Sequence, residues 1–411
     1  MTNSSETVAV AKLIKDRKLD IGDGYRAKNS ELGSPGIPFA RAGDINGGFN
    51  FEGADEFPVA DLDRVGRKRS KPGDVVFTSK GTVGRFAIVR EETTPFVYSP
   101  QLCYWRSLDH DVLIPTFLFY WMHSRSFMEQ VNAVMNQTDM AAYVSLRNQR
   151  KFQVETPTVS TQRRIADILS AYDDLIENNN RRMALLEESI HLLYREWFVY
   201  LRFPGHERVE IVDGVPEGWE VRAVKDSFEY LGGGTPSRKK PELWASGRIN
   251  WYSPTDLTKS GLLFMETSNE QINELGLAKS SAKLFPENSV MFTSRATIGA
   301  IAINTTPATT NQGFINCLPN DRVPLYFLYC WLKANTEQFI ARATGATFKE
   351  LSKGKFKVIP ITLPSKQIVS DFNATVSPLA EKILNLQRQN QKLREARDLL
   401  LPRLMDGRIP V

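Results

Sequence analysis

The residues best suited to chemistry in this chain are cations and small polar groups rather than catalysts. Residues 64–71 contain Arg64, Arg67, Lys68, Arg69 and Lys71 with no acid among them. A run of this kind forms either a solvated loop or a contact for phosphate groups. Lys80 and Arg85 follow, and the second half of the chain supplies Arg238, Lys239, Lys240 and Arg295. The pairs Thr78-Ser79 and Thr293-Ser294, with Gln101 and Gln312, stand at matching places in the two halves. They suit base edges or a nucleic-acid backbone, or they are polar features of a shared fold.

Catalytic arrangements are missing. The four histidines (His110, His123, His191, His206) have no metal-ligand spacing. No GxxxxGK[ST] loop is present, which excludes an ATP-driven motor, and no Pro-Pro pair is present, which excludes the Asn/Asp-Pro-Pro-aromatic motif of amino-methyltransferases. Gly22-Asp23-Gly24-Tyr25-Arg26-Ala27 mimics a dinucleotide fingerprint but reads as a polar turn, because 15–20 is no buried strand. Asp173-Asp174 and Glu187-Glu188 read as the solvated face of a helix. The chain is expected to bind no cofactor or metal and to catalyse nothing itself.

The elements that would position these residues are written twice. Pro72–Ser79 with 84–88 is echoed by Pro286–Ser294 with 299–303. Ser99-Pro100-Gln101 answers Thr310-Asn311-Gln312, 115–120 answers 324–329, and Lys151-Phe152-Gln153-Val154 answers Lys355-Phe356-Lys357-Val358. A period of half the chain implies two related domains rather than a solenoid. In each copy, β-branched and aromatic residues around a turn predict a hairpin, Val75–Ser79 with Val83–Val89 and Val290–Thr293 with Ile298–Ile303.

Each copy runs into a helical pattern. Ile165, Ile168, Leu169, Tyr172, Leu175, Ile176, Met183, Leu186, Ile190, Leu193 and Trp197 recur every three or four residues. Val376, Leu379, Ile383, Leu386, Asn390, Leu393, Leu400 and Leu404 come close to a heptad, with Pro378 marking a kink or a later start. At about 1.5 Å per residue the first helix exceeds about 50 Å, so it needs another long helix as partner. Asn179 and Asn390 fall on the two seams, where a buried Asn sets register; a wet edge of the seam is the other reading.

These patterns predict a mixed α/β chain of four blocks: a domain over 1–160, a helix over 161–202, a domain over 203–364 opening on a Pro/Gly-rich linker at 203–219, and a helix over 365–411. The helices would pair as an antiparallel coiled coil, giving approximate two-fold symmetry. The 411 residues carry a net charge of +5 and three cysteines without CxxC spacing, expected to be reduced thiols. No secretory signal is read in residues 1–10 and no apolar run is long enough to span a bilayer, so the expected location is cytoplasmic.

With these observations in place, the chain resembles the specificity subunits of type I restriction–modification systems over nearly its full length. The second domain carries Val215-Pro216-Glu217-Gly218-Trp219, Gly232-Gly233-Gly234-Thr235-Pro236-Ser237, Trp244, Gly247, Ile249, Trp251, Ser253 and Asp256, in the order of the family's target-recognition domains. Gln162–Phe198, with Ile176-Glu177-Asn178-Asn179 and Leu193-Tyr194-Arg195-Glu196-Trp197-Phe198, is similar to its central spacer, and Lys392–Ile409, with Leu400-Leu401-Pro402-Arg403-Leu404-Met405-Asp406-Gly407, to its C-terminal one. The first domain departs: it has no triple-Gly loop, and Gly36-Ile37-Pro38-Phe39 with Asp44 answers Arg248-Ile249-Asn250-Trp251 with Asp256. The resemblance implies a reader of a bipartite, asymmetric double-stranded DNA target. Two modification (methyltransferase) subunits would bring S-adenosylmethionine, and restriction (motor-nuclease) subunits would bring ATP and Mg2+ chemistry, in phage defence. A partner in which nuclease and methyltransferase are fused, or a coiled-coil scaffold that binds no DNA, are the alternatives.

Overall fold

The computed structural model describes residues 6–45, 47–135, 142–345 and 348–411. The chain divides into two compact units, Met1–Glu177 with Asn390–Val411, and Asn178–Gln389.

In the first unit, the strands Leu19–Asp23, Leu102–Ser107, Val75–Thr78 and Phe86–Ile88 form an antiparallel sheet in that spatial order. A smaller sheet joins Glu56–Pro58, Gly36–Ala40 and Val97–Tyr98, and Glu6–Ala9 pairs with Gln153–Thr156. Large side chains make the core. Trp105, Trp121, Phe77 and Phe127 pack with Ile165 and Leu169 of one long helix and Leu401 and Leu404 of the other. The predicted hairpin is present, with Val75 opposite Ile88 and Phe77 opposite Phe86.

The second unit repeats the plan. Glu229–Gly232, Phe314–Leu318, Val290–Thr293, Ile301–Asn304 and Phe264–Met265 form one sheet; Glu270–Ile272, Ile249–Tyr252 and Ala308–Thr310 form the other; Glu220–Ala223 pairs with Pro360–Leu363. Backbone hydrogen bonds fix which residues correspond, because each ladder admits one register. The Tyr98 carbonyl accepts from Tyr25, and the Thr310 carbonyl from Gly234. Ser79 donates to the Gln101 carbonyl, and Ser294 to the Gly313 carbonyl. Gln101 therefore corresponds to Gly313 and Gln312 to Pro100, so the two glutamines sit one residue out of step. Likewise Val10 donates to the Phe152 carbonyl and Val224 to that of Ile359, so Phe152 corresponds to Ile359 rather than Phe356. Matching letters in short runs misplaced both pairs. The correspondence of Phe39 with Trp251 and of Asp44 with Asp256 holds, since both aspartates cap the same turn, on the Arg41 and Ser253 amides.

The long helices are Val159–Tyr194, which ends in a π-helical turn over Arg195–Val199, and Lys366–Met405. Each contributes to both units. In the first unit they run antiparallel, because Asp173 pairs with Arg397 while Asn390 Nδ2 donates to the Ile176 carbonyl at 3.3 Å. In the second, Met183, Ile190 and Tyr194 share a core with Val369, Phe372, Val376, Ile383 and Leu386; Leu186, Leu193 and Leu379 pack against it.

Two expectations change, for the outward-facing Ile168 and Leu175 and for the linker, and two open alternatives close, for the asparagines and Pro378. Leu175 is 54% exposed and Ile168 also faces outward, because the seam follows Ile165, Leu169, Ile176, Asn179 and Met183. Asn179 and Asn390 are buried, not at a wet edge. The second helix already runs from Lys366, so Pro378 does not delay its start. Residues 203–219 are not a bare linker: Ile211–Val212 pairs with Val215–Pro216, and the Phe203 ring packs at a tilt against Trp219 with centroids 5.0 Å apart. Leu393 and Leu400 are half-buried on the second helix. Among the described residues no helix is long and apolar enough to cross a membrane.

Candidate nucleic-acid interface

The basic run of the first unit is largely neutralised at home. Arg64 meets Glu31 at 2.5 Å, Arg67 meets Asp20 at 3.0 Å, and Lys68 reaches both Asp23 at 3.1 Å and the Gly24 carbonyl at 2.7 Å. Exposed pairs of this kind contribute about 1 kcal/mol or less, so a phosphate can compete for the cation. Arg69, Lys71 and Lys80 are exposed and make no ion pair among the described residues. Arg85 is a clamp: its Nη1 donates to the Ala42 carbonyl at 2.9 Å and the Ile45 carbonyl at 3.4 Å.

In the second unit Arg238 is tied by both Nη atoms to Glu270 and lies over Trp244, 4.0 Å from the ring centroid, and over Trp251 at 5.0 Å. Glu270 engages two of its five N–H donors and the rings hold its plane, so it braces the loop; Trp251 is buried as core. Lys239 and Lys240 are exposed and unpaired among the described residues, and Arg295 lies 3.9 Å from Glu350.

Thr78, Ser79, Thr293 and Ser294 are buried and bonded within the fold. Thr78 Oγ1 accepts from the Arg85 amide at 3.0 Å, and Thr293 Oγ1 from the Ala300 amide at 2.9 Å. Ser79 and Ser294 donate to the Gln101 and Gly313 carbonyls. The threonine hydroxyls brace the hairpins and the serine hydroxyls tie them to the neighbouring segment. These bonds favour the reading of the four residues as polar features of the shared fold. Gln101 and Gln312 are exposed and remain contact candidates.

The glycine loop is a matter of space. A Cβ on Gly232, Gly233 or Gly234 would lie 1.7 Å from Lys353 Nζ, 1.9 Å from the Asn311 carbonyl oxygen or 2.3 Å from Ser281 Oγ. The first unit keeps one of these crossings: a Cβ on Gly24 would lie 1.9 Å from the Ser99 carbonyl oxygen. Gly22–Ala27 is thus the counterpart of the 231–236 loop. It follows a strand, Leu19–Asp23, that the sequence disguised by exposing alternate residues, but no long helix follows it, so it is no dinucleotide site.

Sequence reasoning missed the buried ion pair beneath this surface. Arg106 Nε and Nη2 bond Asp74 at 2.5 and 2.7 Å, and the Tyr98 hydroxyl donates to Asp74 at 2.6 Å. Burial, followed by the Asp74 charge, pushes the Tyr98 hydroxyl well above its ordinary pKa, so it stays a donor. Nothing in the spacing of 74, 98 and 106 announces this set. Among the described residues no group of three or more His, Cys, Asp or Glu could hold a metal ion. Cys103, Cys317 and Cys330 are free, buried thiols.

The duplicated scaffold with differing loops now meets its relatives. The sequence model of the type I restriction modification DNA specificity domain matches residues 19–188 and 216–394. The chain belongs to this family. Over 441 aligned residues it is 25% identical to the type I restriction enzyme HindI specificity subunit of Haemophilus influenzae, covering 91% of this chain and 95% of that protein. It is 35% identical over 181 residues to the MjaIX specificity subunit of Methanocaldococcus jannaschii, covering 44% and 42%. The crystal structure of the type I system S subunit from M. genitalium shares the fold, with a TM-score of 0.58 and 16% identity across 98% of this chain and 96% of that one. The chain is therefore a specificity subunit of a type I restriction–modification system, with two target-recognition domains. The specificity subunit is not itself an enzyme; it works with DNA and the other subunits of such a system.

Proposed function

We propose that each target-recognition domain reads one half of a bipartite, asymmetric double-stranded DNA sequence. The observation that carries this reading is the family match itself, which falls twice, once on each copy of the fold. Cations set affinity through the phosphates, while polar side chains that differ between the copies set sequence. Two methyltransferase subunits dock on the long helices and supply S-adenosylmethionine, flipping out one adenine in each half-site. Motor-nuclease subunits add ATP- and Mg2+-dependent translocation and cleavage. The complex works in the cytoplasm as a defence against phage.

Apolar stripes on the first long helix support the docking. Ile168 and Leu175 lie one heptad apart in the first unit, and Leu185 and Leu192 lie one heptad apart in the second; all are exposed. Solvent-facing rows of large apolar residues mark contact surfaces. The decisive test exchanges residues 1–160 for the corresponding domain of a relative and maps genomic N6-methyladenine in cells carrying the whole system. One half of the methylated sequence should change. Change in both halves, or in neither, rejects the assignment.

A further inference from the structure

The two exposed glutamines occupy non-equivalent positions yet are held in the same state. Gln101 Oε1 accepts from the Ala42 amide at 3.1 Å. Ala42 corresponds to Pro254, which has no N–H to offer. The second domain uses another device: the Thr235 hydroxyl donates to Gln312 Oε1 at 2.6 Å. In both domains the carboxamide oxygen is tied to the fold, and the Nε2 amide has no partner among the described residues. An amide nitrogen carries two donors and no acceptor. At Gln101 the partner is an N–H, which can only donate, so the outward group is fixed as a donor; at Gln312 the Thr235 hydroxyl holds the oxygen, leaving the amide nitrogen outward.

Both glutamines border the same edge of the scaffold. Gln101 continues from the strand bond to Ser79, next to Lys80, which bridges to Tyr143. Across this edge lies the Gly24 crossing, which carries Arg26. Arg26 and Tyr143 are exposed, and Arg26 makes no ion pair among the described residues. In the second domain Gln312 adjoins Gly313, whose carbonyl binds Ser294, next to Arg295, which bridges to Glu350. The glycine loop carries Thr235 across the same edge. The scaffold beneath is shared; the exposed groups differ.

We propose that this edge is the base-reading surface of each domain, with the Gln101 and Gln312 amides as donors to base acceptors, Arg26 as a second reader in the first domain and Arg295 in the second. In the major groove such donors match purine N7, guanine O6 or thymine O4, and an arginine matches the N7/O6 pair of guanine. The inference rests on the half-site reading above and assigns its residues.

The test uses Gln101→Glu, Gln312→Glu and Arg26→Ala in the complete system, with methylation scored on a library randomised in both half-sites. Glutamate keeps an oxygen for the Ala42 amide but replaces the donor with an acceptor. Gln101→Glu should lower methylation of the wild-type sequence about tenfold or more and shift base preference only in the half-site read by the first domain. Gln312→Glu should do the same for the other half, and Arg26→Ala, at an exposed unpaired site, should relax preference in the first half without a folding defect. Wild-type preference in all three variants overturns the assignment. So does a uniform loss across all sequences, which would mark phosphate contacts. A wild-type complex without any bipartite pattern would instead sink the half-site reading, and the unmutated control shows which of the two has failed.

Discussion

At the scale of single residues, the first domain contains an ion pair that the second replaces. Asp74 is fully buried and holds Arg106, Tyr98 and the Lys71 amide. Strand register puts Ser289 and Leu318 at the positions of Asp74 and Arg106. Removing one partner strands the other charge, whereas replacing both removes the demand. Asp74→Ser or Arg106→Leu alone should destabilise the first domain by about 3–5 kcal/mol. The double variant, which copies the second domain, should cost less than either single change in a urea-unfolding series. Additive losses would show that the pair is not coupled. This pair also marks what the sequence concealed: Asp74 belongs to a visible repeated motif, but its partners lie 24 and 32 residues away, and only tertiary packing unites them.

At the scale of elements, the hairpins and both long helices were legible because periods of two and near 3.6 report which face is buried. The seam was legible only in part. Leu175 satisfies the helical spacing, yet the helix turns it outward, since Ile176 and Asn179 already fill the inner face. Periodicity counts apolar residues without saying what each one meets. The proposed docking of a partner subunit would account for apolar residues that this chain leaves outside. Leu185→Asp with Leu192→Asp should therefore leave thermal unfolding of the free subunit within about 0.5 kcal/mol of wild type, as for surface changes generally. The same variant should lose co-purification with the methyltransferase subunits. Unchanged co-purification would move the docking surface elsewhere.

For the whole molecule, the duplicated architecture was readable and the residue-by-residue correspondence was not. Gln101 and Gln312 share a letter and a neighbourhood but not a rung of the ladder, and backbone bonds alone reveal the offset. The resemblance also implies that the paired helices set the length of unread DNA between the half-sites, a role with its own test. Inserting one helical turn into each, at matched positions, should lengthen the unread gap between methylated half-sites, and an unaltered gap would reject that role. A different consequence follows from how the chain closes its first unit. Leu401 and Leu404 complete the core around Trp105 and Phe117, although those aromatics lie nearly 300 residues earlier. On the ribosome, residues 178–389 have emerged before that core can be sealed, so the later-encoded unit is free to mature first. The domain synthesised first completes its core only when Leu401 and Leu404 arrive.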